Sequence, residues 1–264
     1  MRHRGRSGSP DPGKPRTRTS ANEELYICGV NPVTEALKSG TAVRALFVDG
    51  QSSKHLHHVI DTAKSRNIPI KSVGRDFFEG RFEKGHQGIA ASVSPKKVMD
   101  INDLIDLAFS KSDSPFFLVL DCIEDPRNFG AILRVADAAG VDGVIFQSRR
   151  SAGLTPVVYK TSAGAVEHVN LSEVVNIKHA LTKLKDRNIV IIGAEAGSPD
   201  SLWEADLRVP LALIVGSEGE GMRRTVRDMC DMVVQLPMKG VVNSLNVSVA
   251  TGAISYEIMR QRNG

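Results

Sequence analysis

The chain has 264 residues, of which 41% are hydrophobic and 24% are charged, a composition typical of soluble globular proteins. No apolar stretch approaches the roughly 20 residues that a membrane-spanning helix needs, so the sequence predicts no membrane association. Three cysteines, odd in number and without a CxxC pair, argue against a cysteine-built zinc site and favour a reduced, cytoplasmic setting.

The net charge of +4 is concentrated at the N-terminus. Residues 1–20 carry six Lys or Arg and one acid, whereas the rest of the chain carries 28 basic and 29 acidic residues. The segment also contains three prolines and lacks the apolar core of a secretory signal. We therefore predict a disordered basic tail over residues 1–22. It is either an arm that attracts phosphate backbones or a solubilising extension without a specific partner.

Residues 23–95 are predicted to form a small α/β unit, because helix-like and strand-like stretches alternate along them. Residues 96–114 are polar with one amphipathic patch, and we interpret them as a linker with a short helix. The predicted helices of the small unit cover residues 32–37 and 55–65, and its predicted strands cover residues 43–48, 68–73 and 89–93.

Residues 115–264 show a different pattern, in which short continuous apolar runs alternate with helical stretches. Such runs are typical of strands buried on both faces of a parallel sheet, whose ligands bind at the carboxyl ends of the strands. The predicted strands cover residues 116–120, 144–146, 189–192, 211–215 and 232–236, and the predicted helices cover residues 131–139, 177–186, 222–229 and 244–259.

A glycine-rich loop at residues 216–221 follows the predicted strand 211–215 directly. Its Gly-x-x-Gly-x-Gly spacing matches neither a dinucleotide fingerprint nor a P-loop. Glu218 and Glu220 would oppose a phosphate but would not oppose the positive sulfonium of S-adenosylmethionine. The alternative is a plain turn with two solvated acids.

Two further motifs place polar residues at predicted helix starts. Asn128 is a candidate N-cap, Gly130 permits close backbone approach, and Arg134 interrupts an apolar stretch; the plain alternative for Arg134 is a surface or ion-paired arginine. In the second motif, Ser244 and Asn246 lie near the start of the last predicted helix. Asn243 precedes them, and simple capping by Asn243 or Ser244 would explain one of the three polar residues but not all of them.

Taken together, these motifs resemble the SpoU/TrmH branch of the SPOUT methyltransferases. The matching residues are Asn128-x-Gly130-x-x-x-Arg134, residues 160–165, Gly216-x-Glu218-Gly219-x-Gly221, Leu236-Pro237-Met238 and Ser244-Leu245-Asn246-Val247-Ser248. The N-terminal unit, with Gly29-x-Asn31-x-Val33-x-Glu35-Ala36-Leu37 and residues 86–89, is similar to the ribosomal-protein-L30e-like RNA-binding domain that precedes the catalytic domain in this family.

The resemblance implies a trefoil-knotted catalytic domain and a homodimer with its active site near the dimer interface. It implies S-adenosyl-L-methionine as cofactor and no metal. The implied catalytic positions are Arg134, Asn128, Glu218, Ser244 and Asn246, and the implied cofactor contacts are Gly216, Leu236, Leu245, Ala194, Gly221 and Met238.

The activity implied by the resemblance is methylation of the ribose 2′-hydroxyl of a guanosine in large-subunit (23S-type) ribosomal RNA. Transfer RNA is an alternative substrate, and a nonenzymatic RNA-binding protein is an alternative class; the missing fingerprint argues against a nucleotide-dependent oxidoreductase. Because arginine stays protonated at neutral pH, our hypothesis is that Arg134 fixes the target phosphate and stabilises the developing alkoxide. Asn246 and Ser244 are predicted to position the hydroxyl or the cofactor's carboxylate.

Overall fold

A computed structural model describes residues 25–39, 41–50, 56–82, 85–241 and 244–263. The predicted basic tail at residues 1–22 and the candidate cap Asn243 lie outside these ranges. Within them, every helix is too short or too polar to cross a bilayer.

The first unit is a four-stranded sheet with helices on one face and an aromatic cluster on the other. Its elements are β1 (Leu25–Cys28), α1 (Val30–Lys38), β2 (Val43–Asp49), α2 (His57–Ser65), β3 (Ile70–Val73), α3 (Arg75–Glu79) and β4 (Ile89–Val93). The strand order is β1-β4-β2-β3, and only β2 and β3 run parallel. The predicted elements are confirmed to within two residues, whereas β1 and the short α3 were not predicted.

The second unit is built on a seven-stranded sheet. Its elements are α4 (Ile101–Phe109), β5 (Phe116–Leu120), α5 (Pro126–Ala138), β6 (Gly143–Gln147), α6 (Pro156–Thr161), β7 (Leu171–Val174), α7 (Ile177–Lys185), β8 (Val190–Ala194), β9 (Asp200–Ser201), β10 (Leu211–Val215), α8 (Arg224–Arg227), β11 (Met232–Gln235) and α9 (Val247–Asn263). The strand order is β7-β6-β5-β10-β8-β11-β9, and every pairing is parallel. The predicted α/β fold with a mostly parallel sheet is thereby confirmed.

The central strands of this sheet are covered on both faces, which explains their continuous apolar sequence. Alternate residues of β5 and β10 enter two separate cores. Leu118 and Leu213 pack with α5 and α9, whereas Val119 and Ile214 pack with α4 and α7. The helix within the predicted linker, α4, therefore packs on the sheet of the second unit.

Several predicted boundaries in this unit were wrong. The helix predicted at residues 222–229 is shorter, since α8 covers only Arg224–Arg227. The last helix begins at Val247 rather than near Ser244. The elements α6, β7 and β9 were not predicted. Strand β7 lacks a continuous apolar run because Ser172 and Glu173 interrupt it.

The two units share one continuous hydrophobic core and a polar junction. At this junction the Lys96 backbone N–H donates to the Tyr159 hydroxyl at 2.9 Å, and Lys96 Nζ donates to the carbonyl oxygen of Glu167 at 2.6 Å. Glu35 Oε2 pairs with His168 Nε2 at 3.0 Å. Burial raises the pKa of the Tyr159 hydroxyl, which keeps this group a neutral hydrogen-bonding partner. The Glu35–His168 pair joins the first unit to the segment between β6 and β7, the Lys96 bonds join the residue after the first unit to the same segment, and β1 packs on α6.

Candidate active site

The glycine-rich loop forms a tight hairpin at the carboxyl end of β10. Ser217 and Gly221 exchange two backbone hydrogen bonds of 3.0 Å, and Gly219 and Gly221 adopt left-handed backbone conformations with φ of 92° and 70°. A Cβ on Gly216 would overlap the carbonyl carbon of Gly221 and the backbone nitrogen of Met222. The loop therefore needs glycine at its start for space and later for conformation.

A cavity of about 580 Å³ lies beside this hairpin, at the carboxyl ends of β8, β10 and β11. We call it the first cavity. Its size is within the range of about 300–1,000 Å³ that is usual for small-molecule sites. The implied cofactor contacts all line it, and so do three of the implied catalytic residues: Ala194, Gly216, Gly221, Leu236, Met238 and Leu245, with Glu218, Ser244 and Asn246. The structure brings these residues together, and their individual roles stay predictions.

The lining of the first cavity is apolar on one side and acidic on another. Val234, Leu236 and Ile254 supply apolar surface, whereas Glu218 and Glu220 come from the hairpin. This combination fits a ligand that joins a flat purine to a cationic group and carries no phosphate. Among the described residues, no cluster of three or more His, Cys, Asp and Glu could hold a metal ion.

Three side chains from three distant segments are joined by hydrogen bonds at the edge of this cavity. Asn128 Nδ2 donates to Glu218 Oε2 at 3.0 Å. Asn246 Nδ2 donates to Asn128 Oδ1 at 3.0 Å and to Glu218 Oε1 at 3.4 Å. We call these residues the amide–carboxylate network. It holds the hairpin, the start of α5 and the start of α9 in one arrangement.

Asn128 is not the N-cap of α5, contrary to the prediction. The helix begins at Pro126, and the Asp125 carboxylate caps it by accepting a 2.7 Å hydrogen bond from the Arg127 backbone N–H. Proline suits the first helical position because its missing N–H would have no helical partner there. The side chain of Asn128, which is 9% exposed, is therefore free to enter the network.

Asn246, rather than Asn243 or Ser244, has the geometry of the cap of α9. Its Oδ1 accepts hydrogen bonds from the Ser248 backbone N–H at 3.0 Å and from Ser248 Oγ at 2.6 Å. One asparagine thus caps the helix through its oxygen and joins the network through its nitrogen.

Gly130 allows the close approach that the sequence predicted. A Cβ at this position would overlap Thr161 Oγ1 at the end of α6 and lie 2.9 Å from the Val158 carbonyl oxygen, so the backbone of α5 packs directly against α6. Thr161 belongs to residues 160–165, one of the segments that carry the family resemblance. Its contact with Gly130 gives this residue a structural role.

Arg134 lies away from the network. It is exposed on α5, and it lines neither the first cavity nor a second cavity on the other side of the hairpin. Six residues separate it from Asn128, which places it about 120° around the helix and about 9 Å along it. Within the described part of the chain, Arg134 is exposed and makes no hydrogen bond or ion pair.

A second cavity of about 760 Å³ lies on the other side of the hairpin. It shares Ser217, Glu218, Glu220, Gly221 and Val247 with the first cavity, and it is also lined by Asn128, Arg150 and Arg224. The two cavities therefore meet at the amide–carboxylate network.

A buried ion pair that was not among the predicted site residues supports the second cavity. Asp121 is fully buried after β5, and its carboxylate accepts from the Arg223 backbone N–H at 2.9 Å and from Arg223 Nε at 2.8 Å. Arg223 Nη2 also donates to Gln147 Oε1 at 3.0 Å. Burial alone would lower the pKa of the Arg223 guanidinium, but the hydrogen bond and charge of Asp121 raise it. An acid directly after a buried parallel strand was the available signal.

Glu195 was also missed. It follows β8, lines the first cavity, and accepts a 2.6 Å hydrogen bond from Arg227 Nε. Its position after a buried strand, like that of Asp121, was the signal that could have found it.

Comparison with known proteins agrees with this geometry. The SpoU rRNA Methylase family matches residues 115–256, and the family described as RNA 2′-O ribose methyltransferase substrate binding matches residues 26–99. The chain is 41% identical to Bacillus subtilis YacO, named as a TrmH family tRNA/rRNA methyltransferase, over 90% of this chain and 96% of that protein.

Solved structures of related proteins share this fold. The SpoU methyltransferase AviRb from Streptomyces viridochromogenes, in complex with AdoMet, is 26% identical with a TM-score of 0.78 over 91% of each chain. An RNA 2′-O ribose methyltransferase is 26% identical with a TM-score of 0.75, over 90% of this chain and 89% of that chain.

The chain therefore belongs to the SpoU rRNA methylase family. It is a methyltransferase of the SpoU/TrmH type, and the methyl donor of this family is S-adenosylmethionine. The family membership, enzyme class and cofactor predicted from the three motifs are confirmed.

Proposed function

We propose that this protein methylates the ribose 2′-hydroxyl of a guanosine in large-subunit (23S-type) ribosomal RNA. The observation that carries the proposal is the amide–carboxylate network, which lies where two cavities meet. One cavity has the lining expected for the methyl donor, and the other is open to an RNA nucleotide. The relatives named as RNA 2′-O ribose and tRNA/rRNA methyltransferases support the same reaction class.

The first cavity would hold S-adenosylmethionine. The hairpin 216–221 would surround it on one side, and Leu236, Met238 and Leu245 would pack against its purine. Backbone groups near Gly216, Leu236 and Leu245, which all line the first cavity, would contact the cofactor. When bound, the cofactor supplies a methyl group attached to a sulfonium. The thioether that remains after methyl transfer is neutral and therefore a good leaving group.

The residues of the chain itself would position the acceptor. Ser244 and Asn246 would orient the ribose hydroxyl or the cofactor's carboxylate, and Glu218 would be held in place by the two amides of the network. Positioning of this kind can supply roughly 7–11 kcal/mol of a barrier. Our proposal for Arg134 is that it grips a phosphate of the RNA and stabilises negative charge on the ribose oxygen.

We propose a homodimer in which Arg134 serves the site of a second copy. Two observations support it: Arg134 is exposed, and α9, which packs on α5, exposes Val249 at 55% and Tyr256 at 49%. Val249 and Tyr256 are seven positions apart and so lie on the same face of α9, where a second copy could cover both. A trefoil knot formed by residues 216–221 and 236–246, an L30e-like first unit and a cytoplasmic location complete the proposal.

The test is methyl transfer from radiolabelled S-adenosylmethionine by the purified full-length protein, followed by mapping of 2′-O-methyl sites. Large-subunit ribosomal RNA and total transfer RNA, each from cells lacking the protein, are the two substrates. We expect one guanosine in ribosomal RNA to be labelled. Labelling of transfer RNA alone would favour the alternative substrate, and cofactor binding without labelling of either RNA would contradict the proposal.

A further inference from the structure

A cleft of about 660 Å³ lies between the first unit and the β6–β7 side of the second unit. The proposed reaction does not use this cleft. We call it the interdomain cleft. The first unit contributes Tyr26, Arg81 and Phe82, the following segment contributes Lys96, and the second unit contributes Leu154 and Glu173. We propose that this cleft binds an unpaired base of the RNA substrate, beside the nucleotide that is methylated. This inference rests on the proposed function.

The aromatic wall of the cleft is the first observation. Five rings, Tyr26, Phe47, Phe77, Phe78 and Phe82, form one cluster with neighbouring centroids 4.8–6.3 Å apart. Two of them, Tyr26 and Phe82, line the cleft, and both are only partly buried, as is Phe77 behind them. The cluster lies on the face of the small sheet opposite to α1 and α2, so it is not needed to cover those helices.

Cations lie on these rings. The guanidinium carbon of Arg81 is 4.6 Å from the Phe77 centroid and 5.9 Å from the Tyr26 centroid, and Lys71 Nζ is 5.4 Å from the Phe47 centroid. Aromatic rings and arginine planes are the surfaces on which proteins stack unpaired RNA bases. Within the cleft itself, a base with its phosphate would meet Tyr26, Phe82 and the Arg81 guanidinium.

The position of the cleft is the second observation. The loop after β6 contributes Arg150 to the second cavity and Gly153 and Leu154 to the interdomain cleft. At most about 11 Å of chain separates Arg150 from Gly153, and the Ala152 backbone N–H is tied to the Ile123 carbonyl at 3.0 Å. The first cavity, the second cavity and the interdomain cleft therefore follow one another along the carboxyl edge of the sheet.

This order suits a single strand of RNA. Neighbouring strands of a sheet are about 4.8 Å apart, so the step from β5 to β7 spans about 10 Å, which one or two nucleotides cover. A nucleotide whose ribose reaches the amide–carboxylate network can thus have its neighbour in the interdomain cleft. The cleft would select unpaired RNA, since a base in a duplex is not available for stacking.

The experiment measures fluorescence anisotropy of two labelled ten-nucleotide RNAs with the full-length protein. One is single-stranded RNA of mixed sequence, and the other has abasic residues at its internal positions, so it keeps its phosphates but not its bases. The basic N-terminal residues attract both RNAs alike, so the ratio of the two dissociation constants isolates the contribution of the bases. We expect the wild type to bind the base-containing RNA about tenfold more tightly.

Three variants test the assignment. Arg81→Ala should remove most of the tenfold preference, and Arg81→Lys should lose it as well while keeping the charge, because an ammonium does not stack as a planar guanidinium does. Arg66→Ala is the matched control, since Arg66 is an exposed arginine of the same unit outside the cleft. It should keep the preference.

Equal binding of the two RNAs by the wild type would overturn the inference, as would an Arg81→Ala variant that keeps the full preference. Calorimetry with S-adenosylmethionine on each variant reports whether the second unit is intact. Because the binding assay involves no methyl transfer, failure of the proposed reaction and failure of the cleft assignment remain distinguishable.

Discussion

Replacement of Asn246 separates the structural role of the amide–carboxylate network from its role in the reaction. The oxygen of this side chain caps α9, and its nitrogen bonds to Asn128 and Glu218. Asn246→Ala removes both functions. Asn246→Ser keeps a good helix cap but is too short to reach Asn128 or Glu218.

The expected magnitudes follow from these bonds. Loss of the cap costs about 0.5–2 kcal/mol, and loss of hydrogen bonds to an ionised partner costs about 1.5–3 kcal/mol, less here because the Glu218 contact is long at 3.4 Å. We expect Asn246→Ala to lose about 2 kcal/mol of stability, which lowers the melting temperature by roughly 4–8 °C. Asn246→Ser should lose less than half of that.

Activity should not follow stability. Without the Asn246 amide, Glu218 keeps one of its two amide donors and the start of α9 is no longer tied to the hairpin. We expect kcat/KM for methyl transfer to fall about 10–100-fold in both variants, equivalent to about 1.4–2.7 kcal/mol of barrier. The assay combines single-turnover transfer, calorimetry with S-adenosylmethionine and thermal unfolding. An Asn246→Ser enzyme with wild-type rate and cofactor affinity would refute the reasoning.

Three further predictions concern the hairpin, the exposed Arg134 and the half-buried thiol of Cys230. Gly216→Ala should abolish cofactor binding in calorimetry, because its Cβ would overlap the backbone of Gly221, whereas Gly219→Ala, with no atom within 4 Å, should bind with at most about tenfold lower affinity. Arg134→Lys should lower the single-turnover rate at least about tenfold with unchanged cofactor affinity, since lysine lacks the planar fork; a near-normal rate would contradict the proposed role. Burial and the neighbouring Asp231 raise the pKa of the Cys230 thiol to about 11, so the thiol stays protonated at pH 8 and its alkylation by iodoacetamide should accelerate only as the pH rises towards 11. Fast alkylation at pH 8, measured by peptide mass, would count against it.

The strands that carry the site could be predicted because burial on both faces leaves a clear trace. Strands β5 and β10 read as five consecutive apolar residues, and the structure buries all of them. Strand β9 has only two residues, Asp200 and Ser201, and its place is decided by pairing with β11 rather than by its own sequence. A two-residue edge strand leaves no periodic signal.

The helix starts were harder to predict because several residues of one motif could serve as caps. Asp125 and Asn128 are both good caps for α5 by residue type, and only tertiary contacts decide which of them caps the helix. Asn128 is withdrawn from capping by partners 90 and 118 residues away in the chain. A local sequence pattern does not reveal hydrogen-bond partners that are so far apart in the chain. The motif therefore identified the residues of the site but not the hydrogen bonds between them.

The placement of Arg134 follows from the same limit and points to the assembly. A helix that shows Asn128 to the network must turn a residue six positions later well away from it. In a single copy of the chain, Arg134 and the amide–carboxylate network are therefore on different sides of α5. A second copy packed on α5 and α9 overcomes this separation, because it would supply its own Arg134 from across the interface. An Arg134→Ala protomer mixed with an Asn246→Ala protomer should then be more active in the mixed dimer than either variant alone, because one of its two sites has both wild-type residues, whereas sites confined to one chain would stay at the low activity of the single variants.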